Sequence, residues 1–314
     1  MPLKPYWPDW VSAMTEPVAV PGTRCGLIAL VGRPNVGKST LLNHLVGQKV
    51  SITSRKPQTT RQRLLGIKTV GQAQLVFVDT PGFHLGYKKA LNRYMNRTIK
   101  TTVSDVDLIL FMIDRLRFTE EDDMLLEGLG KLPCPVFLVI NKVDALEDRE
   151  QLLPFIDEAR KRFPFVEVVP VSALKEQNTE ALETTLIRYL PENPWLYPED
   201  QLTDRSARYL AAEFVREKIT RQMGDELPHE VAVEIEEFRV ENGVYHIGAL
   251  ILVERSGQKK MLIGSEGSRL KLIGTEARME LERLFDSKVM LKLWVKVKSG
   301  WSDDERALQS LGFD

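Results

Sequence analysis

A chain of 314 residues exceeds what one compact core usually serves, because domains cluster at roughly 100 to 150 residues, so two domains are expected. With 43% hydrophobic residues, 28% charged residues and a net charge of -1, the composition excludes a disordered chain and a global polyelectrolyte, and any nucleic-acid surface must be local. Two cysteines far apart in the chain, Cys25 and Cys134, fit a reducing cytoplasm better than a disulfide framework.

The first 24 residues, "MPLKPYWPDWVSAMTEPVAVPGTR", carry Pro, Trp and acids where a secretory signal needs an unbroken apolar stretch, and they read as a loose extension. Met14 is an alternative start that an intact mass would test. The longest apolar runs, such as "LILFMI" at 108–113, fall short of the ~20 residues of a membrane-spanning helix.

From Cys25 to about Leu190, short β-branched runs alternate with longer amphipathic ones. "CGLIALV", "QLVFVDT", "VDLILFMID", "PVFLVIN" and "VEVVPVS" are mostly apolar throughout, as strands buried on both faces of a parallel sheet are. "RLLGIKTV" at 63–70 joins "QLVFVDT" by a link containing Gly71 that is too short for a crossover, so that pair is predicted antiparallel. The expected domain, 25–190, is an α/β unit with a mixed, mostly parallel sheet.

The stretch "LIALVGRPNVGKSTLLNHLV" reads as strand, G-x-x-x-x-G-K-S, helix, which is the context a phosphate-binding P-loop requires. Its residues Gly32, Arg33, Pro34, Asn35, Val36, Gly37, Lys38, Ser39 and Thr40 are predicted to hold the nucleotide. Inward N–H groups and the following helix N-terminus cradle phosphate, Lys38 reaches the β- and γ-phosphates, and the Ser39 hydroxyl ligates Mg2+. Next comes "SRKPQTTRQR" at 54–63, polar and strand-free like a switch loop, from which Thr60, with Thr59 close behind, is expected to supply the second Mg2+ hydroxyl. "DTPG" follows a strand, so that Asp79 reaches the Mg2+ shell and the Gly82 N–H senses a γ-phosphate, with Thr80 and Pro81 between them. Lys38, Thr60 and Gly82 are the expected catalytic groups. Phe83 stands where signalling GTPases place a water-orienting glutamine, so slow unassisted hydrolysis is expected. Asn35 has two readings of equal weight, a K+ ligand against the phosphates or a residue that only fixes the loop.

"NKVD" at 141–144 follows a strand and names the base. Asp144 can accept from guanine N1–H and the exocyclic amine, which adenine cannot match. Asn141 can tie this loop to the P-loop, Lys142 can lie along the base, and Val143 lies between. "SAL", Ser172, Ala173 and Leu174, offers N–H groups to the guanine oxygen. GTP and GDP are therefore the expected ligands.

"PENPWLYPEDQLTDR" interrupts helix and strand and is predicted to be a semi-rigid linker at 191–204. After it, a helical run stopped by Gly224 leads into two extended runs split by "ENG", a hairpin signal. A short segment, G-x-x-G at Gly264–Gly267, a helix from about Ser268 and a last strand complete the order of an α+β KH module of type II, 205–300, with a tail at 301–314. From Arg255 to Lys298 there are eleven Lys and Arg against five Asp and Glu, the patch that the global charge conceals. Lys259, Lys260, Gly264, Ser265, Glu266, Gly267, Arg269 and Lys271 are the predicted RNA contacts.

"GRPNVGKSTLLN", "SRKPQTTR", "DTPGFH", "NKVD", "YPEDQLTDR" and "LWVKVKSGWSDDERALQSLGF" resemble the bacterial Era-type GTPases, over Gly26 to Phe313. The resemblance implies a GTPase that acts in assembly of the small ribosomal subunit. It also implies a KH domain that binds the 3′ end of the small-subunit ribosomal RNA. A cytoplasmic monomer with peripheral contact at the inner face of the membrane, and a link to cell-cycle progression, come with it. Two features depart from the pattern: the first 24 residues have no clear counterpart, and Ser265-Glu266 stands where KH loops commonly carry a base. Lys259, Lys260, Arg269 and Lys271 are expected to compensate for that acid. Two alternatives are a membrane-linked signalling GTPase that uses the KH unit for docking, and a GTP-binding scaffold that hardly turns over. No basic amphipathic helix supports the first of these.

Overall fold

The computed structural model describes residues 22–54, 56, 59–82, 105–223 and 231–300. Phe83, Gly224 and all but the last residues of the N-terminal extension lie outside them, as does the tail from 301. The first unit holds strands β1 (Arg24–Val31), β2 (Leu64–Val70), β3 (Ala73–Asp79), β4 (Leu108–Asp114), β5 (Val136–Asn141) and β6 (Glu167–Pro170). Its helices are α1 (Lys38–Val46), α2 (Glu120–Leu129), α3 (Leu152–Arg162) and α4 (Thr179–Tyr189).

The sheet order is β2-β3-β1-β4-β5-β6. β2 alone runs antiparallel to its neighbour, from Leu64 opposite Asp79 to Val70 opposite Ala73, so the short link does reverse the chain. β3, β4 and β5 are buried at almost every position because helices cover both faces. Leu41, Leu42 and Leu45 of α1 and Leu186 of α4 pack on one face against Phe77 and Leu110. Leu126 of α2 and Ala159 of α3 close the other against Ile109 and Phe111. Parallel pairing aligns the carboxyl ends of β1, β3, β4 and β5 along one edge, where α/β sheets bind ligands.

The linker is strapped down along its length. Pro191 O accepts from Cys25 N, Leu202 O from Ile67 N, and Asp204 Oδ1 from Leu65 N. Gln74, the second residue of β3 and fully buried, takes the backbone N–H groups of Leu196 and Tyr197 on Oε1 and donates Nε2 to Tyr197 O. Edge strand β2 is thereby covered, which removes an open pairing site.

The second unit is α5 (Ala207–Gln222), β7 (Val231–Glu241), β8 (Val244–Val253), α6 (Ser256–Ile263), α7 (Ser268–Phe285) and β9 (Lys288–Val297). β7 and β8 form the expected hairpin about Asn242 and Gly243, both at positive φ as the tight turn requires. β9 then pairs parallel to the far side of β8. Ile273, Ala277, Leu281 and Phe285, spaced by four, make the buried stripe of α7. The short segment before G-x-x-G is a helix, α6, whose N-cap backbone N–H at Arg255 is bonded by Gln258.

Replacing Gln74 with Leu keeps the volume but strands two buried linker N–H groups, at about 1–3 kcal/mol each. Gln74→Leu should lower the denaturant midpoint by an amount worth roughly 2 kcal/mol or more, and it should speed proteolysis between Pro191 and Arg205. An unchanged midpoint with an intact linker would show that the strap does not hold this edge.

Candidate functional site

The P-loop leaves β1 and enters α1, whose N-cap, Gly37, has φ 104°. A Cβ there would stand 2.2 Å from the Asn141 amide nitrogen, so the backbone turn and the close approach both require glycine. Lys38, buried, curls back to donate Nζ to Gly32 O and Arg33 O, each at 2.9 Å. Burial pushes its pKa down to about 8 against the opposing pull of Asp79. Asn35 is exposed at φ 62°, a conformation asparagine tolerates. The Arg33 side chain turns away from the loop to Asp122 of α2, at 2.7 Å.

Asp79, at the tip of β3, has no exposed surface. Its Oδ2 accepts from Ser39 Oγ at 2.8 Å, Ser51 Oγ at 2.8 Å and Thr60 Oγ1 at 3.3 Å, while Ser39 and Thr60 lie 2.9 Å apart. Thr59 instead bonds Lys56 O, so the structure brings Thr60 and not its neighbour to the carboxylate. Oδ1 is buried with no hydrogen-bond partner, and burial pushes the carboxyl group's pKa up despite Lys38 and the three hydroxyls. One carboxylate and hydroxyl oxygens around an orphaned buried oxygen suit a hard divalent cation such as Mg2+. Gly82 completes the cleft; a Cβ there would come within 2.9 Å of Pro34. Thr80 turns inward, donating to Leu30 O at 2.7 Å.

At the far end, buried Asn141 donates Nδ2 to Val36 O at 2.7 Å and accepts from Ala173 N at 2.9 Å, tying three loops together. Lys142, at φ 64°, donates to Asp114 Oδ2 at 2.9 Å. Burial raises the pKa of Asp114, but hydrogen bonds and charge from Lys142 and Arg115 outweigh it and leave it below the ordinary value. Ser172 Oγ donates to Asp144 Oδ1 at 2.5 Å and so aims that carboxylate. Within "SAL", Ser172 N donates to Gln177 O and Ala173 N to Asn141 Oδ1, and Leu174 is exposed.

In the second unit, Gly264 has φ 74° and Gly267 φ 78°, and Glu266 between them is exposed in the left-handed region at φ 49°. Lys260 and Lys271 are exposed and Lys259 is half-buried. Arg269 is the second residue of α7. Its Nη1 is turned inward on Met261 O at 2.7 Å, bracing α6 against α7, because a guanidinium at the start of α7 can satisfy the last carbonyls of α6.

Residues 27–142 match the family model of the 50S ribosome-binding GTPase, and residues 226–302 match that of the KH domain. The GTPase Era of Marinobacter nauticus is 60% identical, over 93% of this chain and 96% of its own. The GTPase Era of Pseudomonas aeruginosa is 59% identical over the same shares. The chain belongs to the GTPase Era family. Two solved members are similar over 93% of this chain and 99% of their own. One is Era in complex with MgGDPNP and nucleotides 1506–1542 of 16S ribosomal RNA, at 42% identity and a TM-score of 0.88. The other is an Aquifex aeolicus Era variant bound to GDP and AlF4-, at 41% identity and a TM-score of 0.89. The protein is accordingly an Era-type GTPase. Among the described residues, no helix is long and apolar enough to cross a membrane.

Sequence reasoning missed four residues of this Era site. Ser51 donates to Asp79, and Asn43 Oδ1 holds the backbone N–H groups of Val50 and Ser51. Asp114 positions Lys142, and Glu217 of α5 grips Thr53. Only Asp114 carried a signal, an acid ending an apolar strand.

Phosphate charge favours protonated Lys38, whereas the free protein holds that proton only up to about pH 8. Between about pH 8 and the ordinary lysine value of 10.5, nucleotide binding must therefore take up a proton, and affinity must fall as pH rises. Calorimetric titration with MgGDP at about pH 8.5 should give heats that vary with buffer ionisation enthalpy, and the dependence should vanish near pH 7. Heats independent of buffer at both values would mean that Lys38 stays protonated.

Proposed function

We propose that GTP lies across the carboxyl edge of the first sheet and that its hydrolysis governs a KH unit which binds the single-stranded 3′ region of small-subunit ribosomal RNA during assembly of that subunit. One observation carries the reading. A single chain holds the Ser39, Thr60 and Asp79 cluster, the Asn141 to Asp144 loop and the G-x-x-G turn on a fold similar over 93% of its length to an Era in complex with MgGDPNP and 16S nucleotides 1506–1542.

In this reading the P-loop N–H groups and Lys38 hold the phosphates, and Ser39, Thr60 and Asp79 hold Mg2+, which neutralises charge on the phosphate oxygens. The Gly82 N–H faces the γ-phosphate end. Asp144, aimed by Ser172, accepts the two guanine donors, and Lys142, fixed by Asp114, lies along the base. Asn35 suits the left-handed turn of the loop, and its exposed side chain leaves the K+ reading equally open. The units are the GTPase domain at 25–190, the strapped linker at 191–204 and the KH domain at 205–300. The protein acts as a monomer in the cytoplasm, and the acidic β7, with no basic amphipathic helix among the described residues, argues against membrane docking by the KH unit.

Retention of 3′-region RNA by the full chain, compared between a GTP analogue and GDP, tests the central claim. Binding that ignores the nucleotide would defeat it. Asp144→Asn should abolish the preference for GTP over xanthosine triphosphate, because an amide cannot accept both guanine donors. Unchanged discrimination would remove Asp144 from the base.

Glu266 is exposed at the turn that approaches the RNA backbone. In Glu266→Lys the logarithmic salt dependence of single-strand binding should steepen by about 0.7, one phosphate's share, and affinity should rise for many sequences alike. Parallel salt plots for the two proteins would show that Gly264–Gly267 does not touch the backbone.

A further inference from the structure

β9 is the edge strand of the KH sheet, and its two faces differ. Leu291, Leu293 and Val295 point to the core under α7. The alternate positions Lys288, Met290, Lys292, Trp294 and Lys296 are all exposed on the face away from the helices. Met290 at 48% and Trp294 at 38% are unusually bare for apolar side chains of their size.

The indole of Trp294 is seated on the sheet. A Cβ on Gly248 of β8 would stand 2.8 Å from the ring's Cη2 and 3.1 Å from Glu237 Cβ, so the missing side chain of Gly248 is what lets the ring lie across the strand. Charge is divided across this face. β7 presents Glu234, Glu237 and Glu241, with Arg239 paired to the latter two, whereas β9 presents lysines alone. A polyanion on this face is therefore confined to the β9 side.

The row also lies near the G-x-x-G turn. α7 runs antiparallel to β9 through the short link at Asp286 and Ser287, and its Gly274 faces Leu293. The N-terminus of α7, with Gly264–Gly267 before it, consequently projects over the Val295–Val297 end of β9. A strand leaving the turn can pass the open edge of β9 and reach Lys296 and Trp294.

We propose that the outer face of β9 is a second contact for the RNA strand clamped at Gly264–Gly267, with one base stacked on Trp294 and backbone phosphates on Lys292 and Lys296. The inference rests on the RNA-binding reading above. Lysines on an edge strand also discourage sheet pairing, but that role needs no exposed indole between them. A flat aromatic ring between cations is the platform that sequence-tolerant single-strand binders use.

The test compares a single-stranded RNA of about four nucleotides, the length a G-x-x-G turn clamps, with one of about twelve that contains it. The full chain is titrated with each. Trp294→Ala should weaken the longer RNA roughly tenfold, the cost of one lost stack, and leave the shorter RNA and GTP hydrolysis unchanged, while Trp294→Phe retains most of the affinity. Lys292→Ala with Lys296→Ala should flatten the salt dependence of the longer RNA by about 1.4, two phosphates at about 0.7 each, and leave that of the shorter unaltered. Equal affinity of the unsubstituted protein for both lengths, or variants that bind the longer RNA as it does, overturns the proposal. So does a Trp294→Ala protein that melts lower or loses self-association while binding RNA normally, since the ring then serves the chain's own packing or a second copy. Failure to bind either RNA defeats the RNA-binding reading itself, and Gly267→Asp, which should abolish binding of the shorter RNA and only weaken that of the longer, separates the two contacts.

Discussion

A carboxylate with no exposed surface joins the two units. Glu217 of α5 takes Lys49 Nζ at 2.6 Å and Lys218 Nζ at 2.9 Å on one oxygen, and Thr53 N at 2.8 Å and Arg221 on the other. Burial raises its pKa, but these partners outweigh burial and leave it depressed, so the charged form is satisfied. Because the folded pKa lies below the unfolded one, this stabilisation is present at neutral pH and is lost as pH falls through the folded value. Loss of one partner from such a cluster typically costs about 3–5 kcal/mol.

What the cluster holds is the segment between α1 and β2, the same segment that carries Thr60. Arg216 reaches Thr59 O, Arg61 donates to Val231 O at the start of β7, and Ile52 lies within the KH core beside Phe214 and Ile219. Both ends of the segment thus touch both units: Ser51 and Thr60 bond Asp79 in the first, while their neighbours Ile52, Thr53, Thr59 and Arg61 engage the second. Displacement of Thr60 strains the bonds of its two neighbours to the second unit, Thr59 O to Arg216 and Arg61 to Val231 O. The two units share one short piece of backbone, and this gives nucleotide chemistry a mechanical route to the RNA side.

Much of this was legible in the sequence. The strands carried continuous apolar runs, the short link at Gly71 fixed the antiparallel pair, and each nucleotide motif fell at a strand end. What was illegible has a common cause, polar groups buried by a distant segment. Gln74 interrupts an apolar strand and reads as solvent-facing, yet residues 195–197 cover it. The charged run Arg216, Glu217 and Lys218 reads as an exposed helical face, yet it is buried and engaged by Lys49, Thr53 and Thr59 and by Glu280 of α7. Arg269 reads as a free base beside G-x-x-G, yet a carbonyl one helix away claims it. α6, only eight residues long with two lysines, lacks the periodicity that would have revealed a helix.

Two sets of buried charges stand in contrast. Glu217 and Glu280 share Lys49 and Lys218, and both carboxylates end below their ordinary pKa despite burial. Lys38 and Asp79 run the other way, the amine pushed down and the acid pushed up, each toward its neutral form. Their partners are hydroxyls, carbonyls and one another, and these do not repay the lost hydration. A protein selected for stability alone would not keep such a pair, since apolar residues of similar size would cost less. The pair makes sense where opposite charges arrive from outside, phosphate for the lysine and a divalent cation for the aspartate, so that binding recovers a cost the fold carries.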